Sequence, residues 1–482
     1  MEIAAIMYLY APIMLFCITW IKLWLAVPAC IIMLLVIVLF VKREYKRKSI
    51  PLNYEWIVCA TLVGCLIFGW CILSGLGGWC TQTGDWEKHH VLLRDLVTMS
   101  WPVRYEYSDI HGTLTYYIGS YLIPAAVGKI FGGNLNLAEI TLMLYMFSGI
   151  FVSCHVIYGR LANPKGRYLL LIFVVFLCFS TFLTPLAGIY RVWDQEDVWD
   201  GVMWLSKTIR IQYSSNVTLL RWVAPQYVPT MVSMALLFKF RDNYKYWGIF
   251  CMPLILYSTF TFLGEAFLML TLYCLDLLTD VKKREHWKEV FSVYNIGSIV
   301  VGILPLIYIL SNVFQEKPDS AGMGFEWIDY SGKLMVFLLF ELAWICWAVV
   351  LSKYETANMM LWASAINLSI YPLFKMGYWN DLCMRASIPA LCALCFTIIS
   401  SFIKRLRDDR YYVVIIGICL MLTGASSIRE LFPLIGKVNF HEQNFRNSFQ
   451  TSEDYYRSAD FLRYQYIDMQ SDFDFEKYIL QE

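Results

Sequence analysis

Residues Trp56–Asp95 read WIVCATLVGCLIFGWCILSGLGGWCTQTGDWEKHHVLLRD. Their first part, Trp56–Leu73, is an apolar run of nearly the length that crosses a bilayer, which takes about 20 helical residues. The character then changes abruptly. Thr81–Asp95 carries two carboxylates at i and i+2 (Asp85, Glu87), two histidines (His89, His90) and an adjacent Arg94 and Asp95. Ionisable groups crowded at a membrane face are costly unless water, a metal or a charged ligand meets them. An apolar span running into a charged loop therefore points to a membrane fold and to its leading candidate site.

Working outward, the chain of 482 residues is 59% hydrophobic, 17% aromatic and only 16% charged, with mean hydropathy +0.53. Soluble domains carry about 25% charged residues, so the composition is that of an integral membrane protein. A net charge of +1 argues against a nucleic-acid partner. Most cysteines, among them Cys392 and Cys395, fall inside apolar runs and read as small packing residues. The N-terminus is apolar from residue 3, without a basic leader or cleavage site, and reads as an uncleaved first span.

Thirteen apolar segments follow, near 4–22, 24–41, 54–75, 137–158, 167–188, 224–240, 246–258, 260–279, 290–313, 332–351, 357–375, 387–403 and 411–427. The expected fold is all-α, with about 13 transmembrane helices. Basic clusters (Lys42–Lys48, Arg160–Arg167, Lys239–Lys245, Lys282–Lys288, Lys404–Arg410) each follow an even-numbered segment. The positive-inside rule then sets the N-terminus in the cytoplasm and the C-terminus outside. Two long outer loops result, 76–136 and 189–223, together with a polar, aromatic tail from Ile428 that should fold against them. Thr115–Phe131 is apolar but short and contains Pro124, so it reads as a helix lying at the outer interface. Tyr116, Tyr117 and Tyr121 would be its headgroup-level anchors.

An acidic element opening a long outer loop, then a Tyr-rich helix ending in Phe-Gly-Gly and a span starting Leu-Ala-Glu-Ile, resembles the GT-C membrane glycosyltransferases. The acidic element here is Asp85-Trp86-Glu87, and the two interfacial helices would cover about 87–99 and 113–131. In that superfamily the acidic loop normally follows the first span, whereas here it follows the third, which makes the hairpin 4–41 an N-terminal addition. The resemblance implies inverting transfer of a sugar from a polyprenyl-phosphate donor. It divides the chain into the hairpin and basic loop 1–53, a GT-C-like core 54–280, helices 281–427 and an outer tail 428–482.

Each candidate residue has a bland alternative. Asp85 and Glu87 suit a general base or ligands for Mg or Mn, but Thr83 or Asp85 could simply cap a helix on which Glu87 occupies the first turn. His89 shares a face with Asp85 at i+4, whereas His90 points about 100° away. Arg94 suits a phosphate, or pairs within its loop. Asp109 and His111 form a second acid–histidine group whose plainer reading is a turn before a helix. In the second loop Arg210 and Arg221 could hold an anionic head group among interfacial tryptophans, and Asn216-Val-Thr218 matches a glycosylation acceptor. Glu265 and Glu341 are the acids deepest in apolar segments, and Glu265 could line the outer cavity if it lies near its span's outer end. Arg385 follows Asp381 at i+4 and begins an apolar span. GT-C enzymes commonly meet the donor phosphate with a basic residue from a late outer loop, a role the resemblance gives to Arg385, with Lys375 behind it.

The expected function is a membrane glycosyltransferase of a bacterial plasma membrane and cell envelope. It would move a sugar from a polyprenyl-phosphate donor to a glycan, lipid or protein acceptor on the extracytoplasmic face. The rival is a transporter or flippase for a lipid-linked glycan. That rival calls for charges in mid-membrane and symmetric halves, whereas the ionisable groups concentrate in the outer loops.

Overall fold

The structure is a computed structural model that describes residues 1–44, 53–161, 164–181, 198–199, 203–205, 210–313, 325–327, 347, 350–351, 353, 358–376, 380–445, 451–469 and 475–481. The apolar runs fold as helices: α1 Glu2–Trp20, α2 Leu23–Glu44 and α3 Tyr54–Leu73. Asn53 caps α3 by accepting from the Trp56 N–H at 2.8 Å. Two shorter helices follow in the first loop, α4 Trp86–Thr98, close to the extent expected for it, and α5 Gly119–Ile130, which starts later than expected. The chain continues through α6 Leu135–Tyr158, α7 Arg167–Cys178, α8 Asn216–Lys239, α9 Trp247–Cys251, α10 Thr259–Thr279, α11 Val281–Glu285 and α12 Val293–Val313. Beyond these lie α13 Met359–Ile370, α14 Asp381–Ala386, α15 Ile388–Arg405 and α16 Arg410–Ile435. The tail adds α17 Ser452–Arg457, α18 Asp460–Tyr466 and α19 Phe475–Tyr478.

Among the described residues, eight helices are long and apolar enough to cross a membrane, and Arg167–Cys178 and Met359–Leu373 are shorter apolar helices. Segment 332–351, with Glu341, lies outside the described residues. Segment 246–258 is a broken rod, α9 followed by a 3-10 stretch Met252–Leu256 carrying Pro253, which cannot donate to a helical ladder.

The chain is mostly helical but not all-α. Strands β1 Arg104–Glu106 and β2 His111–Leu114 pair antiparallel and are joined on the β2 side by β8 Ile467–Asp468 from the tail. Strands β3 Val198–Trp199, β4 Met203–Leu205 and β5 Arg210–Gln212 form a second sheet, and β6 Phe325–Trp327 pairs with β7 Phe374–Met376. Runs of two to four residues are too short for alternation to announce them.

Helix α1 measures the distance between the two ends of the molecule. Its first residue, Glu2, pairs with Lys239, and its last, Trp20, gives its carbonyl to Gln481 N at 2.9 Å. Nineteen residues of helix span about 28 Å, a bilayer's hydrocarbon thickness. At the Glu2 end gather basic residues: Arg160 donates to the Phe238 and Lys239 carbonyls, and Arg241 and Lys283 meet Asp276. At the other end the first loop and the tail are woven together, as expected. Thr113 and Leu114 pair with Asp468 and Ile467, and Gln443 Nε2 reaches the Gly77 carbonyl at 3.0 Å.

The tyrosines of the second loop helix depart from expectation. Tyr116 and Tyr121 are buried rather than facing headgroups. A phenol that finds a polar partner inside the protein gains more by burial than by standing at an interface, and Tyr121 finds His89. Ile130 and Phe131, at the other end of α5, are the exposed residues.

Candidate functional site

Asp85 immediately precedes α4 with helical backbone angles (φ −61°, ψ −21°), and its side chain caps no backbone N–H. Capping therefore does not account for it. Its carboxylate accepts a hydrogen bond from Lys88 Nζ at 2.9 Å, one turn on. Burial pushes the Asp85 carboxyl up, but Lys88 and Arg385 hold it below the ordinary carboxylate value. About a third of the side chain (34%) stays open to solvent. The carboxyl is crowded by protein yet reached by solvent, and it is ionised at neutral pH.

Arg385 arrives from the far end of the sequence. Asn380 turns the chain into α14 in the left-handed conformation (φ 55°) that Asn tolerates better than most residues. The i,i+4 geometry then brings Arg385 Nη2 to 3.1 Å from Asp381 Oδ1, with the two side chains only 6% and 15% exposed. The Arg385 Nε is buried without a hydrogen-bond partner among the described residues. Ala386 backs onto Gly264 of α10, where any Cβ would overlap the Ala386 carbonyl oxygen. That close approach seats the helix carrying Arg385. Tyr117 also lies within electrostatic reach of Arg385 and Asp381, and Tyr116 packs on both Tyr117 and the tail's Tyr466 with ring centroids 4.4 Å apart.

His89 is buried one turn after Asp85. Its Nε2 faces the Trp222 carbonyl at 3.4 Å and its Nδ1 lies 2.5 Å from the Tyr121 hydroxyl. A carbonyl can only accept, so Nε2 carries the proton and Nδ1 accepts from Tyr121. Burial, reinforced by Lys88, lowers the imidazole to about 3, so it is neutral at physiological pH. His90 turns the other way. Its nitrogens face Glu139 of α6 and, at 2.8 Å, Gln82 Oε1, while Gln82 Nε2 donates to the Gly75 carbonyl. That chain ties α4 to α6 beneath the loop.

The remaining candidates separate. Glu87 is half-buried on the first turn of α4, within electrostatic reach of Tyr455. Arg94 stands beside Asp95, whose burial it partly offsets. Asp109 is exposed and pairs with Arg457 at 2.5 Å and Arg463 at 3.6 Å. His111 is exposed on β2 opposite Glu106. Arg221 gives its guanidinium to Glu430 of α16 at 3.5 Å, and its carbonyl, not its charge, meets α4 through Trp86 Nε1 at 3.0 Å. Arg210 lies on β5, and its side chain is outside the described residues. Glu265 is fully buried on α10, accepting from Ser233 at 2.7 Å, and its other oxygen has no partner among the described residues. Asn216 is buried and donates to the Phe176 carbonyl at 3.0 Å, so it is not a surface glycosylation acceptor.

Two groups escaped the sequence reading. Lys88 carried a legible signal, its i+3 spacing from Asp85. Tyr455 and Tyr466 carried none, since only the folded tail brings them beside Asp85. Lys88 engages Asp85, and no group of three or more His, Cys, Asp or Glu that could hold a metal ion gathers among the described residues.

No protein-family model matches the chain, and no curated protein matches it.

Proposed function

We propose that the chain is a GT-C-like membrane glycosyltransferase with about 13 crossings, its N-terminus cytoplasmic and its site on the extracytoplasmic face. It would take a sugar from a polyprenyl-phosphate donor held beside the bilayer. The observation that carries this reading is that Asp85 and Arg385, hundreds of residues apart in sequence, lie within electrostatic reach of each other. A carboxylate partly open to solvent beside a buried guanidinium is what transfer from a phosphate needs.

In this reading the acceptor hydroxyl oxygen attacks the anomeric carbon while the bond from that carbon to the phosphate oxygen breaks. The electron pair leaves with the phosphate, which Arg385 holds, and the hydroxyl proton passes to Asp85. Lys88 adds a second cation. Bound to Asp85 it keeps the carboxylate a weak base; turning toward an incoming phosphate, it would free Asp85 to take the proton. Neutral His89 holds Tyr121 against the same helix. Charge on the leaving phosphate is met by Arg385 and Lys88. Glu265, an acid buried in a span, is a feature among the described residues that favours the transporter alternative.

The test supplies polyprenyl-phosphate sugars to the purified protein in detergent, with no second compartment. Release of free lipid phosphate requires catalysis. Arg385→Lys keeps the charge but loses the planar fork and should weaken donor use, and Arg385→Ala should cost about 1.5–3 kcal/mol. Silence across a broad donor panel, or equally mild effects of Arg385→Ala and Asp381→Ala, would turn the reading toward transport or a plain surface pair.

A further inference from the structure

The tail crosses the loop end of the molecule as a strap tied at successive points. Asn444 N donates to the Gly78 carbonyl at 2.8 Å. Next, Ser452 donates to Asp95 of α4, which also accepts from Tyr105 at 2.7 Å; the Tyr105 hydroxyl in turn lies 3.0 Å from that of Tyr456. Further on, Thr115 N donates to the Tyr466 carbonyl at 2.9 Å and β8 lies on β2. The last described residues bridge Leu480 to Ile21 at the end of α1.

One of these ties differs in kind. Asp95 is 2% exposed, and a buried carboxylate is tolerable only with its oxygens occupied. Both donors come from outside α4, one of them from the strap. Between Ser452 and β8 the strap carries Tyr455 and Tyr466, both buried. Tyr455 lies within electrostatic reach of Asp85 and Glu87, and Tyr466 within reach of Asp85 and Arg385.

We propose that the C-terminal strap is a working wall of the site. Asp95 is the positioning residue that latches it, and Tyr455 and Tyr466 restrict the access of bulk water to the Asp85–Lys88 pair, leaving about a third of the Asp85 side chain open. The chemical consequence rests on the glycosyl-transfer reading, whereas the shielding does not. If the site transfers a sugar, water is the competitor of the acceptor hydroxyl at the anomeric carbon, and excluding it decides between transfer and hydrolysis.

The experiment uses the full chain carrying Ser452→Ala with Tyr456→Phe. Hydrogen exchange at 452–468 reports the strap, and acylation of Lys88 by a water-soluble succinimidyl ester, read by mass spectrometry, reports the site. Losing a hydrogen bond to the buried Asp95 carboxylate should speed both by roughly tenfold or more. Lys283, at the opposite end, should be labelled at an unchanged rate, and Ser452→Thr, which keeps the hydroxyl, should behave as the parent. A loosened strap with unchanged Lys88 labelling overturns the shielding, and an unchanged strap overturns the latch. Should the double variant unfold, labelling Lys283 and Lys88 together, Ser452→Ala alone decides by the same two criteria. With a donor that supports turnover, the variant should raise free sugar relative to transferred sugar. Lys88 shielding with no turnover on any donor would overturn the glycosyl-transfer reading while leaving the strap intact.

Discussion

Two clusters of ionisable residues sit at opposite ends of this membrane fold, and they are built on different principles. At the basic end, Asp276 is 1% exposed and meets Lys283 at 2.9 Å, Tyr244 at 3.0 Å and Arg241 at 3.5 Å. Asp242 takes the spare charge of Arg241, Lys283 and Arg160. Donors converge on one buried acceptor, although the Arg241 Nε, 3.3 Å from Asp242, makes no hydrogen bond among the described residues. At the loop end, the Asp85 carboxylate has one direct side-chain partner among the described residues and remains a third open, and Arg385 keeps a buried Nε without a hydrogen-bond partner among them. Converging networks hold helices together. A carboxylate and a guanidinium brought near one another but left incompletely satisfied are poised for a ligand.

The sharpest way to break this contrast is to neutralise one acid at each end. Asp85→Asn keeps the shape and removes the base, so transfer should fall by roughly 100- to 10,000-fold with little change in melting temperature. Asp276→Ala should do the reverse. Stranding two cations against a buried cluster should cost about 3 kcal/mol of stability, seen as a lower melting temperature in detergent, with little loss of turnover per folded molecule. Full activity in Asp85→Asn, or an unshifted melt in Asp276→Ala, would dissolve the distinction.

A smaller effect sharpens it through pH. Burial raises Asp95 to about 6, against the pull of Ser452 and Tyr105; Arg94, Tyr107, Tyr456 and Glu453 are the other titratable groups around it. An acid whose folded value lies above its free value binds its proton better in the folded state. The contribution of Asp95 to stability should therefore grow as pH falls from about 6 toward the ordinary carboxylate value of 3.8. The melting temperature of the parent relative to Asp95→Asn should rise across that window and change little above it. Asp95→Asn should abolish the dependence.

The smallest expected effect belongs to Asp109, exposed and paired with Arg457 and Arg463. Asp109→Ala should leave the melting temperature nearly unchanged, as the loss of an exposed pair does, and leave turnover unchanged. A large loss would move this second acid–histidine group into the site.

Much of the fold was legible because it is local. Hydropathy alone marked α1, α2, α3, α6, α10 and α12, since a lipid-facing helix must be apolar along its length. The first loop helix was found within a residue of its observed ends, the second ended where expected but starts later, at Gly119 after β2, and the Asp85-Trp86-Glu87 turn was visible as a concentration of charge. The misses are non-local. Tyr121 read as an interfacial anchor because nothing near it in sequence reveals His89 waiting inside. Asn216-Val-Thr218 read as a modification site because its burial depends on α7 and α16. The sheet β1–β2–β8 was invisible, as its third strand lies over 350 residues from the second.

By itself the sequence determined that this is a membrane protein, where its apolar helices run, and that Asp85 and Arg385 are charges in need of an explanation. These follow from the solvent each residue must meet, a property read one short window at a time. Only the tertiary structure decided that the two charges lie within electrostatic reach of each other, that Arg221 and Asp109 are occupied elsewhere, and that the tail brings tyrosines within the same reach. Such pairings depend on packing summed across many helices, with Gly264 against Ala386 and Ser452 against Asp95 among the contacts that set them. No single window of sequence contains both partners.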